Sequence, residues 1–483
     1  MKLTLKRVFE VYVFAYAFFF ASRPLSDGDF WWHLKTGEYI VKNGSIPTTD
    51  LFSFTNFGKP WIAHEWLSEV IFYLVYSRFG FNALIFTFAI LTALAFWIVF
   101  RRCRAHAFIA GFATLLGVWS ILPTIGVRPR VFTLLFASVY LAVLTSYVRS
   151  GEGKRIWWLV PLMVLWVNLH AGYILGLVLI GVSIVGIVLD AWADGEGLRP
   201  HWPQIRSLAL VLLACLLVIN LNPHGPRIYV FPFEFFFSPI QQETVNDWLS
   251  PNFHEPELLP LALLILLTIT VLALAPKRAK PSELLLLLAT LYATLKSNRH
   301  MSIFALVAAP LLANYLQSWL DSTRLGESFS EARSSVPDRG AIVFGVLLLF
   351  PVLALVVRLR SEIYSPPRQD RVGVPLRAVE YMKANQITGN TFTDPNIWGG
   401  YLIWEMPSNP VFIDGRIDMY GDHFVGEYLK ITAGLTDWRQ SFAEYKIRVA
   451  LISPRSVLEL QLLASRDWRK VYSDEMAVVF IQP

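Results

Sequence analysis

The hydrophobic positions of this chain occur in long runs separated by short polar loops. Eleven runs are long enough to cross the ~30 Å hydrocarbon core of a bilayer as helices. The pattern therefore predicts a mainly α fold, a polytopic membrane helix bundle. The predicted spans cover about 8–22, 81–100, 106–124, 131–148, 156–170, 172–192, 207–222, 257–276, 282–298, 300–319 and 341–359.

One further apolar run, "WLSEVIFYLVY" at 66–76, is too short to be a span. Eleven residues form roughly 17 Å of helix, far less than the hydrocarbon thickness. We interpret this segment as an amphipathic helix that lies at the membrane interface, separate from the span at 81–100.

After residue 360 the hydrophobic runs become short, and charged residues, Pro and Gly return. Short β-like runs alternate there with helical patterns, which predicts a small α/β domain. We thus expect a membrane domain over 1–360, with a first outer loop at 23–80, and a soluble α/β domain over 361–483. The expected strands lie in 411–415, 449–453 and 477–482, and the expected helices in 375–385 and 455–465.

Composition and charge agree with a membrane protein. Only 16% of the residues are charged, against roughly 25% in soluble domains. The net charge of +6 comes from Lys and Arg, which cluster in alternate loops, as the positive-inside rule expects for a cytoplasmic N-terminus. We expect an integral protein of the bacterial inner (plasma) membrane, with an extracytoplasmic C-terminal domain and no nucleic-acid partner.

Candidate chemistry is concentrated on the predicted outer face, where seven of the nine histidines would lie. The first outer loop contains "SDGDFWWHLK" and "GKPWIAHEW", which are rich in ionisable groups. In an extended loop, Asp27 and Asp29 would point to the same side and share one site. The other candidates in these two motifs are His33, Lys59, His64 and Glu65.

A second group of candidates lies in short outer connections between predicted spans. "NLHAG" and "SNRH" join apolar runs with almost no hydrophilic loop, so their ionisable side chains would lie at headgroup depth, where such groups usually mark a functional cavity. Arginine suits phosphate because its guanidinium group binds two oxygens at once. The predicted phosphate pocket consists of Arg128, Arg130, His170, Arg299 and His300.

Together these groups suggest transfer from a lipid phosphate. A carboxylate would act as general base on an acceptor hydroxyl, and the cationic groups would stabilise the charge on the departing phosphate. The "DGD" motif also admits a turn or, with Asp27 and Asp29 as ligands, a divalent cation such as Mg²⁺ or Mn²⁺. In "DGRIDMYGD", at 414–422, we expect Arg416 to pair with Asp414 or Asp418.

The acidic pair after the first span, "GEYIVKNGSIP", and "GKPWIAHEW" before an interfacial helix resemble the membrane-embedded GT-C glycosyltransferases. The likeness is to protein O-mannosyltransferases and lipid A aminoarabinose transferases. By resemblance, Asp27 or Asp29 would match the catalytic acid, and Lys59 and Pro60 the Lys-Pro of that family. The sequence departs from the family pattern at Trp61 and at His64-Glu65.

The resemblance implies a glycosyltransferase of the EC 2.4 class, with a polyprenyl-phosphate sugar as donor and a glycan, lipid or protein as acceptor. Membrane lipid would surround it. Two alternatives stay open: a polyprenyl-pyrophosphate glycan ligase or phosphotransferase, and a lipid or glycan transporter. Transporters usually carry polar groups at the membrane midplane, whereas the polar groups here lie at the outer ends of the spans.

Overall fold

The computed structural model describes residues 5–25, 27–151, 153–323 and 373–483. The described chain is mostly helical, with one small mixed sheet near the C-terminus, as the sequence predicts. It forms two compact units. The predicted span at 341–359 and the domain boundary at 360 lie outside the described residues and stay predictions.

The first unit contains the described residues of 5–23, 85–225 and 246–323 and is entirely helical. Short 3₁₀ turns join several of its helices, among them Ala171–Tyr173 and Asn298–His300. Its α-helices are Leu5–Ala21, the second part of Trp66–Arg102, Ala107–Ser120, Arg130–Ser150, Leu159–Leu169, Ile174–Ala193, Trp202–Val218, Leu259–Leu274, Pro281–Lys296 and Met301–Asp321.

These helices coincide with the first ten predicted spans, and the chain is an integral membrane protein. Six helical segments of the described chain are long and apolar enough to cross a bilayer. Others are shorter, such as Leu159–Leu169 with 11 residues, or roughly 16 Å of helix. The number of spans therefore stays a prediction.

The second unit contains 24–84, 226–245 and the described C-terminal residues from 373 onward. The first outer loop therefore folds together with the C-terminal sequence. The unit's helices are Phe30–Asn43, the first part of Trp66–Arg102, Arg227–Phe236, Pro239–Thr244, Leu376–Ala384, Ile397–Glu405, Ile417–Tyr420, Asp422–Thr432, Trp438–Glu444 and Val457–Leu463.

The helix that begins at Trp66 is interrupted at Gly80, whose φ is +75°. A positive φ is readily adopted only by glycine, and it breaks the helical path. The break separates the segment at 66–79 from the following apolar run, where the sequence predicts two distinct helices. The interfacial position of the first helix stays a prediction.

The sheet has four strands: β1 (Thr391–Asp394), β2 (Val449–Ile452), β3 (Arg469–Ser473) and β4 (Val478–Ile481). Their order is β1-β2-β4-β3, with β1 parallel to β2 and the other pairs antiparallel. The strands and helices expected in 449–453, 477–482, 375–385 and 455–465 are confirmed.

The prediction of a strand in 411–415 is wrong. Val411 makes only isolated bridges, to Ser53 and to Thr391. Phe412 and Ile413 are fully buried, so burial explains their apolar character without a strand.

Arg416 organises the interior of the second unit. Its side chain is 1% exposed, and its Nη2 lies 2.6 Å from Asp414 Oδ2 and 2.9 Å from Asp50 Oδ1. The guanidinium also stacks over the Trp61 ring, 4.6 Å from its centroid, and the Tyr420 hydroxyl donates to Asp414 at 2.8 Å. The predicted Arg416–Asp414 ion pair is confirmed, and Asp50 and Trp61 join it from the first outer loop.

We predict that Arg416→Met destabilises the second unit because it leaves two buried carboxylates without their cation. Loss of one partner of a buried ion pair costs about 3–5 kcal/mol. Differential scanning fluorimetry of the purified chain should show a clearly lower Tm. The control is Arg439→Met, whose side chain is 56% exposed; equal effects of the two substitutions would contradict the assigned role of Arg416.

We also predict that the C-terminal unit is extracytoplasmic and that the loop at 194–201 is cytoplasmic. Cys103 and Cys215 are buried, so single cysteines must be introduced at exposed positions, His423→Cys and Glu196→Cys. A membrane-impermeant maleimide should label residue 423 in sealed cells and residue 196 only after permeabilisation. The reverse pattern would show that the orientation is wrong.

Candidate functional site

The candidate residues fall in both compact units, and those of the first outer loop lie in the second unit. Asp27 Oδ1 accepts a hydrogen bond from the Asp29 backbone N–H at 3.2 Å. Asp29 has helical angles (φ −70°, ψ −23°) directly before the helix Phe30–Asn43. The "DGD" motif is therefore a turn, and the expected extended loop is wrong because the helix begins here.

Two glycines determine where the carboxylate of Asp29 lies. Its Oδ1 accepts a hydrogen bond from Trp32 Nε1 at 3.3 Å and packs against the backbone of Gly415. A Cβ added to Gly415 would lie 1.7 Å from that oxygen. Similarly, a Cβ on Gly28 would lie 2.7 Å from the Cβ of Ile397. The turn thus fits closely against the C-terminal sequence, which holds the Asp29 side chain in one orientation.

The histidines and glutamates of the first outer loop form one continuous network of ionisable side chains. His64 Nε2 lies 3.3 Å from Glu65 Oε1, and Glu65 Oε2 lies 3.6 Å from His33 Nε2. His33 Nδ1 in turn lies 3.2 Å from Glu69 Oε1. The helices approach closely at Gly37, where an added Cβ would be 2.0 Å from the Glu69 carbonyl oxygen.

The carboxylates of this network favour the protonated form of both imidazoles. Burial alone would lower the pKa of His33, but the carboxylates of Glu69 and Glu65 raise it above its usual value. Burial likewise opposes the charge on His64, yet Glu65 raises the pKa of His64 to about 9. Burial raises the pKa of Asp418, although the His64 cation favours its ionised form.

Lys59 lies apart from this buried network of histidine and glutamate side chains. Its side chain is exposed, while its backbone carbonyl accepts a hydrogen bond from Asp50 N–H at 2.9 Å. The Lys-Pro motif thus closes a small loop next to the partner of Arg416. The assignment of Lys59 to phosphate binding stays a prediction.

In the first unit, two of the predicted phosphate ligands converge on one acid. Nη1 of Arg130 lies 2.8 Å from Asp247 Oδ2, and Nη1 of Arg128 lies 3.3 Å from the same oxygen. Burial would raise the pKa of Asp247, but Arg130, Arg128 and Arg299 together hold it below its usual value. The three arginines thus form one electrostatic cluster around an ionised carboxylate.

Arg299 connects this cluster to a small cleft. Its guanidinium stacks over the ring of Trp248, 4.2 Å from the centroid. The cleft is lined by Arg130 and Arg299, by Thr124 and Ser302, and by apolar side chains that include Leu134. Two cations, two hydroxyl groups and an apolar wall are features that suit a phosphate carried on a hydrocarbon chain.

The two histidines predicted in the phosphate pocket close tight turns. His170 Nδ1 accepts a hydrogen bond from Gly172 N–H and lies 2.8 Å from Thr133 Oγ1. His300 ends the 3₁₀ turn Asn298–His300. The expected tight hairpins are confirmed at both places, and the phosphate-binding roles of these histidines stay predictions.

A divalent cation at Asp27 and Asp29 would need further ligands. Within the described ranges, no group of three or more His, Cys, Asp or Glu side chains is arranged to hold a metal ion. Two carboxylates supply only part of the oxygen shell that Mg²⁺ or Ca²⁺ requires. Asp27 and Asp29 alone therefore do not fit a metal centre.

Sequence reasoning missed several residues of these clusters. Glu69 could have been found, because it follows Glu65 by four residues and shares its helix face. Asp247, Trp248 and Gly415 gave no comparable signal, since each acts through a contact with a residue distant in sequence.

Comparison with known proteins gives matches at the level of structure. No protein-family model matches the chain, and no curated protein sequence matches it. The apo oligosaccharyltransferase of Archaeoglobus fulgidus superposes with a TM-score of 0.58 at 12% identity, over 92% of this chain and 69% of that one. The same archaeon's AglB in complex with an inhibitory peptide and a dolichol-phosphate gives 0.60 at 11%, over 93% and 70%.

ArnT from Cupriavidus metallidurans, bound to undecaprenyl phosphate, gives a TM-score of 0.48 at 15% identity, over 98% of this chain and 97% of that one. The oligosaccharyltransferase matches extend over nearly the whole chain and include both compact units. They show that the chain shares its fold with these archaeal oligosaccharyltransferases.

Proposed function

We propose that this protein is a glycosyltransferase that moves a sugar from a polyprenyl-phosphate donor to an acceptor at the outer face of the membrane. The proposal rests chiefly on the cleft that Arg130 and Arg299 line together with apolar side chains. The structure of AglB, which shares the fold, holds a dolichol-phosphate. A polyprenyl phosphate has the same combination of anionic head and hydrocarbon tail.

In the proposed reaction, an acceptor hydroxyl attacks the anomeric carbon of the donor sugar. The bond between that carbon and the phosphate oxygen breaks, and the phosphate keeps the electron pair. Arg130, Arg299 and Arg128 would stabilise the negative charge that develops on the phosphate. The acceptor proton passes to a carboxylate of the "DGD" turn, which acts as general base.

We assign Asp27 as the base and Asp29 as its orienting partner. The Asp29 carboxylate is packed against Gly415 and bonded by Trp32, which suits a fixed positioning group. His33, His64, Glu65 and Lys59 would supply further polar contacts to donor or acceptor. A glycan ligase that uses a polyprenyl-pyrophosphate donor would need the same arginines. The transfer assay must therefore include both polyprenyl-phosphate and polyprenyl-pyrophosphate sugars.

We predict that Asp27→Asn lowers the rate of sugar transfer by about 10²–10⁴-fold, the usual effect of losing a general base. Asparagine keeps the size of the side chain and can accept the Asp29 N–H bond, but it cannot take the proton. The measurement is turnover of labelled polyprenyl-phosphate and polyprenyl-pyrophosphate sugars in proteoliposomes.

Asp29→Asn is the paired variant, and binding of the donor is the control for folding. Wild-type turnover by both single variants, with donor binding intact, would contradict the assignment of this motif.

We predict that Arg299→Ala weakens binding of a polyprenyl phosphate because one charge-assisted contact is lost. Such a contact contributes about 1.5–3 kcal/mol, or roughly a 10- to 150-fold change in Kd. Arg278→Ala, at an exposed loop position, is the matched control and should change little. An unchanged Kd for the folded Arg299 variant would remove the cleft from the proposed site.

A further inference from the structure

The backbone around Asp247 is fixed to the tight turn that carries Arg299. The Asp247 carbonyl accepts hydrogen bonds from Arg299 N–H at 3.0 Å and from Ser297 Oγ at 2.8 Å. On either side, Asn298 donates to the Leu249 carbonyl at 2.9 Å and to the Asn246 carbonyl at 3.0 Å. Four hydrogen bonds to main-chain carbonyl groups, two of them at Asp247, therefore hold residues 246–249 in place, and none of them uses the Asp247 carboxylate.

The carboxylate itself is directed at the arginines. It contacts Arg130 and Arg128 through one oxygen, while 35% of the side chain remains exposed. Arg299 is the third guanidinium group that stabilises the ionised form of this carboxylate. Because its backbone is fixed, the acid remains beside the arginines when an anion enters the cleft.

We propose that Asp247 is a specificity-determining residue that weakens binding of the spent carrier more than binding of the donor. This inference rests on the proposed function. The donor is a phosphodiester with one negative charge, and transfer of its sugar leaves a phosphomonoester with up to two. A fixed carboxylate repels the doubly charged product about twice as strongly, since the Coulomb energy is proportional to the ligand charge.

The consequence is easier release of the product. Without the Asp247 carboxylate, the arginines would hold the phosphomonoester more tightly, and the enzyme would be inhibited by its own product. Asp247 reduces that affinity and keeps the guanidinium groups in position when the cleft is empty.

The test uses two probes that carry no sugar, farnesyl phosphate and its methyl ester. At pH 8 the first is a dianion, since the second pKa of a phosphomonoester is about 6, and the ester is a monoanion. Calorimetry with the full-length chain in nanodiscs gives Kd for each. We expect Asp247→Asn to tighten binding of the ester about fivefold and of farnesyl phosphate about 25-fold.

Two further variants serve as controls. Asp247→Glu keeps the charge and should stay close to wild type. Glu255→Gln removes another acid of the same loop. The Glu255 carboxylate accepts a hydrogen bond from the Asn252 amide at 3.3 Å, and the substitution should change neither Kd by more than twofold. In proteoliposomes, Asp247→Asn should also lower kcat and increase inhibition by added polyprenyl phosphate.

The outcomes separate this inference from the proposed function. Weaker binding of both probes to Asp247→Asn, or an equal gain for both, would overturn the role given to Asp247 while leaving the arginine site intact. If neither probe binds the wild-type chain, or if Arg299→Ala leaves binding unchanged, the phosphate site itself is wrong and this inference falls with it.

Discussion

The buried guanidinium of Arg416 is the interaction on which the second unit depends. Moving a charge into a protein interior costs several kcal/mol, and here that cost is offset by Asp414, Asp50 and the ring of Trp61. Asp50 and Trp61 come from the first outer loop, whereas Asp414 belongs to the C-terminal sequence. One cation thus joins two segments more than 350 residues apart into a single folded unit.

The position of Asp29, the proposed orienting partner of the base, follows from the same arrangement. Gly415 lies between Asp414 and Arg416, and its missing side chain leaves the space that Asp29 Oδ1 occupies. The residues that fix the buried ion pair therefore also fix the backbone against which the "DGD" turn packs. A substitution at Arg416 should therefore disturb Asp29, whose Oδ1 packs against Gly415, the residue directly before Arg416.

Sequence patterns predicted the features that depend on local periodicity. The ten described apolar runs became helices, and the runs at 449–453 and 477–482 became β2 and β4. Patterns failed where a distant contact decides the outcome. "VFIDG" is apolar because Phe412 and Ile413 are buried in the C-terminal core, and "DGD" is a turn because a helix begins at Phe30. Residue type alone indicated the three arginines as candidate phosphate ligands. Asp247 was recognised only from its contacts with Arg128 and Arg130 in the fold.

The charged clusters of the two compact units differ in how their charge is balanced. In the second unit, Glu65 and Glu69 raise the pKa of His33, and Glu65 raises the pKa of His64, so the charge of this network depends on protonation. In the first unit, three arginines face one acid, and a guanidinium group cannot give up its proton in a protein. This permanent positive charge is the physical reason to expect a phosphate ligand at the arginine cluster rather than at the network of histidines and glutamates, whose charge depends on protonation.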